Sequence, residues 1–201
     1  IEALKAGEYD LRHENISKNW ALAYDISQVE QEEMLKLEIP HKIPSGMQAF
    51  IFNLRNPQFQ NINVRKALNL VFDFEWINKN MFYSAYTRTN SYFENSQFAY
   101  TGFPVLQSDG SGRDRGNLKQ ARDLLKKAGY TIQDFKLVDG GGEPFEIEFL
   151  IYSPSFERVI APLIRNLRIL GIEAKIKRVD ASIFQKRVES FDYDIIVSTY
   201  N

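Results

Sequence analysis

FEIEFLIYSPSFERVIAPLIRNLRILGIEAKIKRVDASIFQKRVESFDYDIIVST, residues Phe145–Thr199, is the stretch whose reading decides the fold. Phe145–Tyr152 is apolar enough for a strand. Ser155 then opens a helix with Phe156, Val159, Ile160, Leu163, Ile164, Leu167 and Leu170 on one stripe and Gly171 as its stop. Pro162 inside it removes one backbone hydrogen bond and predicts a kink. Ile172–Val179 alternates as a second strand, Asp180 caps a short helix bearing Ile183, Phe184, Arg187 and Val188, and Phe191–Thr199 closes as a third strand around Ile195–Val197. Strand, helix, strand, helix, strand in that order predicts parallel neighbours joined by right-handed crossovers.

Working back, MQAFIFNLRNPQFQNINVRKALNLVFDFEWINKNM (Met47–Met81) opens with a run from Met47 to Leu54 that is apolar on both alternating sets. Such a strand needs cover on both faces, which points to the interior of an α/β sheet rather than an edge. Arg55–Ile62 is a polar connection with Asn56-Pro57 and Asn61 as turn residues. Asn63 is the expected cap of a helix with Val64, Ala67, Leu68, Val71 and Phe72 on one face, and Asp73 that of a second, Phe74–Phe82.

The flanks are less regular. Ile1–Ala6 reads as a helix stopped by Gly7, Tyr9–Arg12 as extended, Ile16–Asp25 as a helix capped by Ser17, and Met34–Ile39 as a strand stopped by Pro40. Tyr83–Gln107 holds seven aromatics without a sustained period. It is expected to wrap the fold and bury them as a satellite core, the alternative being an aromatic platform for a sugar or peptide. Leu118, Ala121, Leu124, Leu125 and Ala128 mark a helix from Asn117 to Gly129, and Gly140–Gly142 a turn or hairpin tip.

Composition excludes several classes. The 25 basic and 26 acidic residues of this 201-residue chain nearly cancel, which argues against a nucleic-acid surface driven by phosphate neutralisation. No apolar run approaches the roughly 20 residues of a membrane span, and no basic-then-apolar leader opens the sequence. It starts at Ile1 and stops at Asn201 directly after an apolar run, so both ends read as cuts in a longer chain. With no cysteine, thiolate chemistry and most zinc sites are absent.

Candidate chemistry is sparse. His13 and His41, the only histidines, sit in RHEN and PHKIP, away from any metal-ligand spacing or nucleophile elbow. SDGSGRDRGN (Ser108–Asn117) is glycine-rich, but its spacing fits neither phosphate-binding fingerprint and reads as a turn before a capped helix. Its Asp109 and Asp114 lack the ligand alternation of a calcium loop. Arg158, Arg165, Arg168, Lys175, Lys177 and Arg178 read as a solvated outer face. No paired-carboxylate or Ser-His-Asp constellation stands out, so no catalytic residue, metal or cofactor is expected.

FNLRNPQFQNINVRKALNLVFD, ALKAGEYDLR and the late block from Ser153 to Tyr200, with its Phe-Asp-x-Asp, resemble the family 5 extracellular solute-binding proteins of bacterial ABC importers. ISKNWALAYD, PSGMQAFIFNLRNPQFQ, FDFEWINKN and TRTNSYFENS are most similar to the oligopeptide and microcin C receptor branch. The resemblance implies an α/β, periplasmic-binding-protein-like lobe with a mainly parallel sheet flanked by helices. Residues 1–46 would connect from a first lobe and residues 47–201 would form the second. It implies capture of an oligopeptide or peptide-like compound between two lobes and delivery to a membrane permease, on the periplasmic or extracellular face. Asn53 and Arg55 after the central strand, and Ser198, Thr199 and Tyr200 at the exit, would face the ligand. Two departures stand out. The stretch between Gly102 and Ser108 is shorter than this branch leads one to expect, and the sequence stops before the segment where many peptide binders place an Asp for the peptide's amino group. One lobe alone is therefore expected to fold but to bind peptide weakly. The alternatives are a small α/β hydrolase built on His13 or His41, and a glycan-binding module using residues 83–100.

Overall fold

The computed structural model describes residues 1–41, 43, 44, 46–100, 102 and 106–200. Short helices α1 (Glu2–Lys5), α2 (Ser17–Leu22) and α3 (Ser27–Glu30) precede β1 (Met47–Phe52), α4 (Pro57–Gln60), α5 (Ile62–Val71) and α6 (Phe74–Met81). After α7 (Arg115–Lys127) come the hairpin β2 (Thr131–Gln133) and β3 (Lys136–Val138). Then follow β4 (Glu146–Ile151), α8 (Glu157–Ile169), β5 (Glu173–Arg178), α9 (Ala181–Glu189) and β6 (Ile195–Tyr200). The main sheet has the order β1-β6-β4-β5, with β4 parallel to both β5 and β6 and β1 antiparallel to β6. The strand-helix-strand-helix-strand expectation holds.

The core lies on β4, which offers Ile147, Phe149 and Ile151 to one face. Onto that face pack Val64, Leu68 and Val71 of α5, Leu118, Ala121 and Leu125 of α7, and Ile160, Leu163 and Leu167 of α8. Leu150, on the other face, is also fully buried, as expected for a strand with parallel partners on both sides. No residue before Phe59 belongs to the buried part of this cluster.

β1 departs from expectation. Among the described residues it pairs only with β6 and forms an edge, with no residue fully buried. Two apolar faces report cover above and below a strand, not neighbours at its sides. Phe50 packs edge-on against Phe72 and Phe149, and Phe52 lies against Phe59, while the outer side of the strand stays unpaired.

Met34–Ile39 is not a strand: Leu35, Leu37 and Ile39 are exposed. Alternation without a partner strand gives nothing to pair with, and Pro40 limits the run. Several caps move. Asn61, not Asn63, caps α5 by accepting from the Asn63 amide, and Ser17 is the first residue of its helix rather than its cap. α8 starts behind a short 3-10 turn, Pro154–Phe156, with Ser155 Oγ paired to Ser153 Oγ at 2.6 Å instead of capping. Asp73, Asp114 and Asp180 each cap through a side-chain oxygen. The hairpin tip is Asp134-Phe135, both in the left-handed region, and Gly140–Gly142 instead turns the chain from β3 into β4 around the Asp139 carboxylate.

The segment from Tyr83 to Tyr100 does not bury its rings. Tyr83, Tyr86, Tyr92, Phe93, Phe98 and Tyr100 are all exposed. Phe93 and Phe98 meet edge-on at 6.4 Å and 69°, so they form no coplanar row of the kind a sugar stacks on. The short connection expected between Gly102 and Ser108 falls partly outside the described residues.

Candidate functional site

The register of β1 on β6 decides which candidate residues can act together. Phe52 lies opposite Ile195 and Met47 opposite Tyr200. Asn53 and Arg55, just past β1, therefore sit at the opposite end of this ladder from Ser198–Tyr200. Five steps at about 3.3 Å put the backbones roughly 17 Å apart. The five residues form two clusters.

At the first cluster the side chains are taken up by the fold. Asn53 is 3% exposed, donates from Nδ2 to the Phe191 and Tyr193 carbonyls at 2.9 Å each, and accepts from the Arg55 amide at 3.1 Å. Asn56 donates to Asp194 at 2.7 Å, and Asp194 also accepts from the Glu148 amide at 2.8 Å. Burial pushes the Asp194 pKa up, against the hydrogen bond from Glu148. Arg187 spans Glu148 at 3.0 Å and Asp192 at 2.8 Å. Burial opposes its charge, but those bonds outweigh it and raise its pKa. The Arg55 guanidinium lies over the Phe191 ring, 3.4 Å from its centre, a cation–π contact. Residues 53–56 thus grip the Phe-Asp-x-Asp turn, whose Phe191 has φ +57°.

The second cluster is open. At the carboxyl ends of the parallel strands, Thr199 and Tyr200 are exposed and Ser198 half-buried. Gln48, opposite Thr199, donates to its hydroxyl at 3.3 Å. The Tyr200 ring meets Tyr92 edge-on at 5.5 Å. β4 delivers Tyr152 to the same end, half exposed and resting on Phe184 at 5.0 Å. The Tyr193 phenol is pushed up by burial first and by Tyr200 next, while Arg55 draws it down. This end gathers hydroxyls, an amide and aromatic rings with one polar tip each. Such groups can hold a main chain by hydrogen bonds and cover apolar side chains. Sequence reading names Ser198–Tyr200 for this end and Tyr92 only within the alternative aromatic platform of residues 83–100; it names neither Gln48 nor Tyr152. Gln48 carries a signal, being the polar residue inside an otherwise apolar run, whereas nothing in the sequence pairs Tyr92 with Tyr200, 108 positions away.

Both histidines are exposed, and His41 Nδ1 accepts from the Ile43 amide. Among the described residues neither histidine is hydrogen-bonded to a serine. Among the described residues no group of three or more His, Cys, Asp or Glu is placed to hold a metal ion, and no helix is long and apolar enough to cross a membrane.

A mostly parallel sheet with helices against it is an α/β architecture similar to the folds of periplasmic binding proteins. Residues 1–201 match the family described as "Bacterial extracellular solute-binding proteins, family 5 Middle", and the chain belongs to that family. A protein of Agrobacterium fabrum named "Probable peptide-binding protein YejA" is 35% identical over 228 residues, covering 100% of this chain and 37% of its own length. That alignment is longer than the 201 residues here, so the relative carries residues this chain lacks. NikA of Brucella suis, solved with Fe(III)-EDTA, has the same fold at TM-score 0.75 and 20% identity, over 98% of this chain and 38% of NikA. The oligopeptide-binding protein AppA of Bacillus subtilis, solved with a nonapeptide, gives 0.72 and 19%, over 99% and 38%. The chain spans little more than a third of the length of these proteins.

Proposed function

We propose that this chain is the second lobe of an ABC-importer receptor that captures oligopeptides or peptide-like compounds and hands them to a membrane permease. Residues 47–201 form the lobe, and residues 1–46 run to it from a first lobe that supplies the other wall of the cleft. Peptide-like antibiotics of the microcin C kind fall in the same ligand class, and the periplasmic or extracellular face is the place of action. The observation that carries the reading is the relationship of the whole chain to a relative named as peptide-binding. The exposed Tyr200, Thr199, Gln48 and Tyr92 then supply a surface suited to a peptide. Ser198–Tyr200 are the ligand-facing residues, while Asn53 and Arg55 act by holding the turn beneath.

Calorimetry of the intact receptor with a defined oligopeptide mixture tests this. Tyr200→Ala is expected to weaken binding about tenfold, a loss of about 1.4 kcal/mol. The isolated chain is expected to bind more than tenfold more weakly than the receptor, because half a cleft leaves one side of the peptide in water. A receptor that binds no peptide or peptide conjugate sinks the proposal.

A further inference from the structure

The glycine-rich loop Ser108–Asp114 and the helices beside it form a feature that ligand capture leaves unused. Asp73 ties the loop down, accepting from the Ser108 hydroxyl at 2.5 Å and the Gly112 amide at 2.8 Å. The Ser108 backbone amide donates to Glu75 at 2.9 Å, and Asp114 accepts from the Asp109 and Asn117 amides, so these carboxylates are all engaged. Outside the loop lie two adjoining hollows of about 280 and 390 Å³ that share Arg113 and Ile169. Together they are lined by Arg113, Arg115, Lys119, Arg122 and Arg165, and by no acidic residue. Among the described residues none of these five cations makes an ion pair. All five are exposed, in a chain whose net charge is -1.

The cations are ordered rather than scattered. Arg115, Lys119 and Arg122 follow the i, i+4, i+7 stripe of α7, which spaces them by about one 5.4 Å turn along roughly 10 Å of helix. Arg165 of α8 lines the adjoining hollow with its guanidinium over Trp76, 5.9 Å from the ring centre. The floor, Leu118 and Ile169, is apolar. Cations set at turn spacing over an apolar floor, two guanidinium forks flanking the Lys119 ammonium, suit carboxylates carried on an ordered peptide backbone. α8 starts at the carboxyl end of β4 and reaches Arg165–Ile169 in its last turns, so the groove lies toward the far end of the sheet from the candidate cleft.

We propose that this groove is a docking surface for an acidic segment of a partner protein, its Asp or Glu side chains spaced about one helical turn apart. It does not rest on the cleft binding peptide. The test uses an end-capped, fluorescent oligoglutamate peptide titrated onto the chain, with a saturating neutral oligopeptide present to occupy any cleft. Binding is expected to weaken at least tenfold in Arg115→Glu/Lys119→Glu/Arg122→Glu, and to fall steeply between about 50 and 200 mM salt as screening shortens the reach of the groove. Arg115→Gln/Lys119→Gln/Arg122→Gln should give an intermediate loss, and it carries the test if the reversed variant fails to fold. Binding that neither set of substitutions weakens overturns the proposal. Equal affinity for phosphatidylglycerol vesicles or for tripolyphosphate, lost in the same variants, overturns it too, since the groove would then be a membrane or general anion site.

Discussion

Replacing Asn53 by Ala asks whether this residue holds the fold or waits for a ligand. Its Nδ2 is the shared donor that closes the Phe191 and Tyr193 carbonyls against the end of β1, and its Oδ1 holds the Arg55 amide. Tyr193 O keeps a second donor, Asn56 Nδ2 at 3.3 Å, and Arg55 is an exposed residue whose amide is only part-buried. The loss is therefore less than three full bonds. At about 1 kcal/mol net for each, the expected cost is about 2–3 kcal/mol. With a urea slope of about 2 kcal/mol per molar, the unfolding midpoint falls by about 1–1.5 M. Asn53→Asp should cost more, because it sets a carboxylate against two carbonyl oxygens where the amide donated. Both effects appear with no ligand present. A cost for Asn53→Ala below about 1 kcal/mol, or an Asp variant as stable as the parent at neutral pH, would refute the assignment of this side chain to the turn.

Two further expectations concern stability. Gly171 has φ +79° and a Cβ there would lie 2.7 Å from the Leu137 amide nitrogen, whereas Gly129, at φ +95°, has open space. Gly171→Ala should cost clearly more than the about 1 kcal/mol expected of Gly129→Ala from backbone strain alone. Equal urea midpoints for the two variants would show that the strand β3 simply moves aside. Burial raises the Glu14 pKa, but hydrogen bonds from Tyr24, the Ile16 amide, Arg12 and Asn19 outweigh it and bring the value from 4.5 down to about 2. The folded state therefore holds this proton less readily than the unfolded chain. The stability it contributes is full above about pH 4.5 and is lost as the pH falls toward about 2. Trp20, 6.1 Å from Tyr24, reports on the cluster by fluorescence, and Glu14→Gln should flatten the transition in that window.

The regular half of the fold was legible because its signals are local and redundant. In α8 the apolar stripe, the stop glycine and the strand that follows all agree, in α7 the stripe and the stop glycine do, and each helix covers β4 as the periodicity requires. The errors share a cause. For Met47–Leu54 and Met34–Ile39 the signal is apolarity along the strand, which is silent about lateral partners: one is an edge and the other no strand. For the Tyr83–Tyr100 rings composition points to a satellite core, yet without a period nothing in the sequence says which surface they rest on.

The site divides along the same line. Asn53 and Arg55 follow one strand, Ser198–Tyr200 end another, and sequence position treats both as strand ends near a cleft. Only the antiparallel pairing of β1 with β6 shows that these are opposite ends. Once that is known, the two blocks that carry the resemblance take different meanings. Phe-Asn-x-x-Asn-Pro and Phe-Asp-x-Asp grip each other through Asn53, Asn56 and Asp194, and so set the register that aims β6. Ser198–Tyr200 sit at the aimed end, where Gln48 and Tyr92 join them from segments far away in sequence. A strong motif in this chain thus marks the part that fixes geometry. The surface proposed for a ligand is assembled from Gln48, Tyr92 and Ser198–Tyr200, which lie in separate blocks of the sequence and meet only through the strand pairing and the Tyr92–Tyr200 contact.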